Sequence, residues 1–202
     1  MDLIMSPASP FARKVRVLIR EVGLDHHVNE VDVATTPLAP DAKALAANPT
    51  GKIPALIRND GPAIYDSRVI CRYLNARAGS SLYPEEGLWE ILTLEATADA
   101  MMDAAVAMVY QARFVATDGA SGDWIEAQWS KVAGALNAID ARWMSHLAGP
   151  LNAAQIAVGS GLAYLDFRHG ARDWRDDVPA LADWFVGFAE RTSMRDTAPP
   201  AG

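Results

Sequence analysis

The spacing of apolar positions changes repeatedly along the first third of the chain. Leu3-Ile4-Met5 is a brief apolar run ended by Ser6-Pro7, which predicts a short strand. Val15, Leu18, Ile19 and Val22 then recur at helical spacing, with Gly23 as a stop. From His27 to Val33, Val28, Val31 and Val33 alternate with polar residues, as in a half-buried strand. Residues 41–47 form a short helix before Asn48-Pro49. Ile53 to Ile57 and Ala63 to Tyr65, separated by Asn59-Asp60-Gly61, read as a hairpin. Val69, Ile70, Tyr73 and Leu74 give a last helix starting near Ser67. The predicted order is β-α-β-α-β-β-α.

Beyond residue 88 the apolar residues fall at three and four spacing only, through 88–115, 124–147, 153–168 and 179–190. That pattern predicts an all-helical second unit. Asn152 can cap the third of these helices while Gln155 reaches back, and Leu151 and Ile156 can form a hydrophobic staple. Between the units, Gly79 to Gly87 is rich in turn residues. The expected organisation is therefore 1–78, a linker at 79–87, and 88–202.

One stretch competes with this reading. Trp143 to Leu165 lacks Asp, Glu, Lys and Arg for 23 residues, enough by length to span a bilayer. His146, Gly149, Pro150, Asn152 and Gln155 interrupt it, so a helix end, a turn and a buried helix account for it without a membrane. No secretory apolar core is visible at the N-terminus, where Asp2, Arg13 and Lys14 come early.

Charge sharpens the two-unit picture. The 202 residues carry a net charge of −7, which disfavours general nucleic-acid binding. Residues 1–78 hold ten Lys/Arg against eight Asp/Glu, so the excess acid lies in the helical unit. The one cysteine, Cys71, excludes an internal disulfide framework and a clustered-Cys zinc site, and suits a reducing cytoplasm. It sits on a predicted apolar helix face, where cysteine packs as a small hydrophobe. His26-His27, His146 and His169 show no metal-ligand spacing.

Three places can carry chemistry. Ser9 suits an N-cap and Pro10 the first helical position. A helix N-terminus also stabilises an anion, a thiolate included, and the serine hydroxyl could donate to it. Arg13, Lys14 and Arg16 either add positive potential there or form a solvated face. Gly51-Lys52-Ile53-Pro54 either opens an edge strand or contains a cis bond that offers the Ile53 N–H and C=O to a peptide-like ligand. Asp66-Ser67 either caps the last helix of the first unit or holds a carboxylate and an ammonium.

Taken together, Ser-Pro-Phe-Ala-Arg-Lys-Val, Asn-Pro-Thr-Gly-Lys-Ile-Pro-Ala-Leu and Tyr-Asp-Ser-Arg-Val-Ile resemble the thioredoxin-like domain of a glutathione S-transferase. Tyr164 to Arg168 and Arg191 to Thr197 are similar to the C-terminal helices of bacterial members. The resemblance implies a thioredoxin-like N-terminal domain followed by an all-α helical bundle. It also implies a cytoplasmic homodimer that conjugates the glutathione thiolate to a small hydrophobic electrophile, as in detoxification, with no metal, nucleic acid or membrane partner.

Residue by residue, the resemblance implies that Ser9 orients the thiolate, with Ser6 as the alternative. Ile53, before Pro54, pairs with the cysteinyl part of glutathione, and Asp66 and Ser67 hold the γ-glutamyl end. Lys52 meets the glycyl end, and Phe11 belongs to the same site. Ala8, Met102, Val106, Tyr110, Arg113 and Phe114 are the implied electrophile pocket, although Met and aromatic residues at helical spacing are more often core or dimer surface than pocket. Serine at 9 and alanine at 12 argue against dithiol exchange. Loop 34–40 lacks the Lys or Arg that related enzymes often place near the glycine carboxylate. That departure keeps a non-catalytic glutathione-binding or interaction module open as an alternative. Glutathione-dependent peroxide reduction or isomerisation is another.

Overall fold

The computed structural model describes residues 1–115 and 119–200. Its elements fall into two compact units, residues from Met1 to Pro84 together with those from Thr192 on, and Glu85–Arg191.

The first unit begins with β1 (Asp2–Met5), α1 (Pro10–Glu21) and β2 (Asn29–Asp32). It continues through α2 (Ala42–Ala47), β3 (Ala55–Ile57) and α3 (Ser67–Ala78). The sheet order is β2-β1-β3, with β1 parallel to β2 and antiparallel to β3. A parallel neighbour requires a crossover, and α1 supplies it. Leu3, Ile4 and Met5 are all buried, as a strand covered on both faces requires. Ile4, Val33, Ala44, Ala47 and Ala55 form one cluster beneath α2. Cys71 is buried on α3, as its apolar surroundings predicted.

Two expectations change here. The fourth strand shrinks to a single antiparallel bridge between Ile64 and Leu56. Pro62 lacks an N–H for a longer ladder, and its carbonyl accepts Arg58 Nε at 2.9 Å. The chain after Arg191 was expected with the helical unit. Instead α9 (Thr192–Arg195) and the residues beyond it cluster with the first unit. Arg13 Nη2 donates to the Met194 carbonyl at 2.9 Å and Arg16 Nη1 to the Thr197 carbonyl at 3.2 Å. Arg16 Nε also meets Glu30 at 2.7 Å. Both arginines are buried, so neither belongs to a solvated face.

The second unit contains α4 (Leu88–Phe114), α5 (Gly119–Arg142), α6 (Met144–Leu147), α7 (Ala153–His169) and α8 (Pro179–Ala189). The apolar periodicity of 124–147 is split at Trp143, whose carbonyl accepts the amides of His146 and Leu147. Every residue of α7 from Ala153 to Leu165 is buried, which explains why this stretch carries no charge. A Cβ at Gly159 would collide with the Phe188 ring, itself stacked on Trp184 at 4.7 Å. Glycine is therefore what lets α8 approach the α7 backbone. No described helix is long and apolar enough to cross a membrane.

The predicted capping box closes α7. Asn152 Oδ1 accepts the Ala154 and Gln155 amides at 3.0 and 3.2 Å, and Gln155 Oε1 accepts the Asn152 amide at 3.0 Å. Asp140 adds a cap that local patterning does not reveal: its Oδ1 accepts the Leu181 amide, in α8, at 2.8 Å.

Candidate functional site

Strand directions bring the three sequence-predicted segments to one end of the first unit's sheet. The loop Ser6–Ser9 leaves the C-terminal end of β1. Because β3 is antiparallel, with Ile4 opposite Ala55, residues Ile53-Pro54 enter at that same end. Ile64 lies opposite Leu56 and runs back alongside β3, so the chain from Tyr65 to Ser67 heads to that end as well. Three helix or strand starts thus converge, and their unpaired backbone groups with them.

Ser9 caps α1. Its Oγ accepts the Ala12 amide at 3.2 Å, and Pro10 follows as the first helical residue. As an acceptor in that bond, the hydroxyl keeps its own proton for a ligand. Ser6 takes part through its backbone, its carbonyl accepting the Ser9 amide at 3.0 Å. Ala8 and Phe11 are half-buried beside this turn.

The Ile53–Pro54 bond is cis, as its sequence allowed. Pro54 is buried, Ile53 half-buried and Lys52 exposed. Their approach is set by Asn48, which periodicity treated only as a helix stop. Asn48 Oδ1 accepts the Thr50 amide at 3.1 Å and the Thr50 hydroxyl at 2.9 Å, while Nδ2 donates to the Lys52 carbonyl at 2.9 Å. Gly51 completes the turn at φ +67°, where a Cβ would also crowd Leu45 and Pro40. The Asn-x-Thr-Gly string is the local signal for this Asx-type turn. Thr35 braces it from loop 34–40, its hydroxyl donating to the Gly51 carbonyl at 3.5 Å and accepting the Asp41 amide at 3.1 Å.

Asp66 caps α3, accepting the Arg68 amide at 3.1 Å, and its other oxygen meets Arg68 Nη2 at 2.8 Å. Burial alone would raise the Asp66 pKa. The Arg68 hydrogen bond and charge, with Lys14 nearby, outweigh it and hold the carboxyl below its ordinary value. Ser67, 2% exposed, opens the helix behind it. A carboxylate held here would meet amides and a hydroxyl; an ammonium would meet Asp66.

On the helical unit, the predicted pocket residues divide. Met102 is 1% exposed and belongs to the core, because α7 packs against it. Val106 and Tyr110 are half-buried, whereas Arg113 and Phe114 are exposed. Tyr110 and Phe114 stack at 5.8 Å, with the Arg113 guanidinium 5.2 Å from the Phe114 ring centroid. Tyr164, raised to about 12 mainly by burial, stays a neutral phenol at physiological pH. Among the described residues no cluster of three His, Cys, Asp or Glu could hold a metal ion.

Comparison with known proteins matches part of each unit. Residues 8–77 match the glutathione S-transferase N-terminal domain and residues 122–186 the C-terminal domain. An uncharacterized GST-like protein of Escherichia coli K12, YibF, is 30% identical and covers 99% of both chains. A glutathione transferase family member from Pseudomonas fluorescens Pf-5, solved with bound glutathione, is 40% identical over 99% of each chain, with a TM-score of 0.95. Another crystal structure described as that organism's family member holds S-(propanoic acid)-glutathione, at 38% identity, full coverage of both chains and a TM-score of 0.91. The chain belongs to the glutathione S-transferase family.

Proposed function

We propose that this protein binds glutathione in its first unit and adds the thiolate to a small hydrophobic electrophile. The observation that carries the reading is the convergence of Ser9, Ile53-Pro54 and Asp66-Ser67 at one end of the sheet. In this assignment the Ser9 hydroxyl donates to the thiolate sulfur and lowers the thiol pKa from about 8.5 towards neutrality. The Ile53 backbone pairs with the cysteinyl unit, Asp66 takes the γ-glutamyl ammonium, and Ser67 with the α3 amides takes its carboxylate. Lys52 reaches for the glycyl carboxylate, and Phe11 flanks the sulfur.

The thiolate attacks the electrophilic carbon and forms a C–S bond, while the displaced pair leaves with the departing group or moves to an acceptor that water protonates. On the helical unit, Tyr110, Arg113 and Phe114 are the residues assigned to the electrophile. The glutathione and S-substituted glutathione held by the Pseudomonas fluorescens relatives support this reading. Retention on glutathione resin, followed by a thiol-conjugation assay, tests it. No retention and no rate above background would contradict it.

A detoxifying role, a homodimeric state and a cytoplasmic location extend the same proposal. Exposed Tyr65 and Val69 offer apolar area for a second copy, and size-exclusion chromatography with light scattering reads the mass. One observation favours a non-catalytic binding module instead: loop 34–40 has no Lys or Arg for the glycyl carboxylate. Glutathione binding without conjugation, peroxidase or isomerase turnover would select that reading.

A further inference from the structure

We propose that the helical unit carries a binding site for a small apolar carboxylate, in the groove where the end of α4, the start of α5 and the end of α7 meet. The groove has a volume of about 430 Å³, within the range of small-molecule sites. Met108, Val109 and Ala112 of α4 and Ile125 of α5 give it an apolar floor, and Arg113, Arg168 and Arg172 stand around it. None of the described residues that line it is acidic. This occurs in the half of the chain that holds the excess of Asp and Glu, so the cluster runs against its background.

The three arginines are not equivalent. Arg172 is committed, its two terminal nitrogens meeting the Glu126 carboxylate at 2.8 and 2.6 Å. Arg113 and Arg168 have no carboxylate partner among the described residues. Each guanidinium lies instead by an aromatic ring, Arg113 5.2 Å from Phe114 and Arg168 3.9 Å from Phe167. Such a contact orients a guanidinium without neutralising it, leaving its N–H edge for an anion. His169, beside them, is pinned by its Nε2 to the Ala105 carbonyl at 2.9 Å. Two unneutralised forks above an apolar floor fit a flat hydrocarbon body with one carboxylate. This site lies wholly within the second unit; it shares Arg113 with the electrophile assignment, while Arg168 and Ala112, the positions used in its test, belong to the groove alone.

Calorimetric titration of the full chain with 2-naphthoate, and with the neutral 2-naphthalenemethanol, tests it. We expect one naphthoate per chain, bound more tightly than the alcohol. Arg168→Gln should weaken naphthoate about tenfold, the worth of one charge-assisted contact, and leave the alcohol within about twofold. Ala112→Glu, at an exposed helical position that tolerates the change, should abolish naphthoate binding by placing a carboxylate on the floor. Naphthoate affinity unchanged in both variants, equal affinity for acid and alcohol, or no binding of naphthoate to the unaltered chain would each overturn the proposal.

Discussion

Ala12 donates its amide to Ser9 Oγ at 3.2 Å, so the hydroxyl serves the helix as an acceptor and keeps its proton. Capping and thiolate stabilisation are therefore compatible uses of one group, and substitution can separate them. Ser9→Ala removes both and should cost about 1 kcal/mol of stability, whereas Ser9→Gly costs a few tenths as a cap. Both variants should lose conjugation rate at neutral pH by tenfold or more and shift the rate profile to higher pH. Chemical unfolding and a pH series of kcat/KM check the two effects independently. Loss of rate in Ser9→Ala alone would mean that the cap, not the hydroxyl proton, matters.

Asn48 is a positioning residue for Ile53. Its amide holds the Thr50 amide and hydroxyl on one side and the Lys52 carbonyl on the other, while 3% exposed. Asn48→Ala orphans those groups and should cost about 2–3 kcal/mol. Asn48→Asp keeps the acceptor but turns the donor into an oxygen facing the Lys52 carbonyl. We expect either variant to raise KM for glutathione more than it lowers kcat, measured in steady-state kinetics at saturating electrophile.

Gln155 does more than complete the capping box of α7. Besides its capping bond, its Nε2 donates to the carbonyls of Leu147 and Gly149 at 2.9 and 3.0 Å. Gln155→Asp retains a capping acceptor and loses the donor to two carbonyls. Stability should fall by about 2 kcal/mol in urea unfolding, with less change in glutathione binding.

Acid should act through Glu30 among other groups. Burial by itself would raise its pKa, but hydrogen bonds and charge from Arg20 and Arg16 prevail, and the carboxyl lies below its ordinary 4.5. A carboxylate with a lowered folded-state pKa contributes fully above the unfolded value. That contribution disappears as pH falls through the folded value. Melts at pH 7 and at about pH 3.5 should show a smaller acid loss in Glu30→Gln than in the unaltered protein. At pH 7 the variant should be less stable by about 1 kcal/mol, since the pair is partly exposed.

What was legible in the sequence was local. Ser9-Pro10, Asp66-Ser67 and the Asn152–Gln155 box are each defined within a few residues, and each appears where its spacing placed it. The long uncharged run also resolved correctly, because its interruptions are turn and capping residues. Arg13 and Arg16 were ambiguous because the carbonyls they bond belong to residues 194 and 197, far along the chain. No periodicity reports such a partner. Asn48 and Asp140 escaped for related reasons, one hidden behind a helix stop and the other capping a helix 41 residues away. Met102 shows the reverse limit, since its helical spacing could not distinguish pocket from core.

The titration of bound glutathione, followed by thiolate absorbance across pH in the unaltered chain and in Ser9→Gly, tests the central assignment most directly. The account predicts a bound thiol that ionises well below the free value of about 8.5 in the unaltered chain and returns towards it in Ser9→Gly. A bound thiol that titrates at the free value in both, or a chain that binds no glutathione, would contradict it.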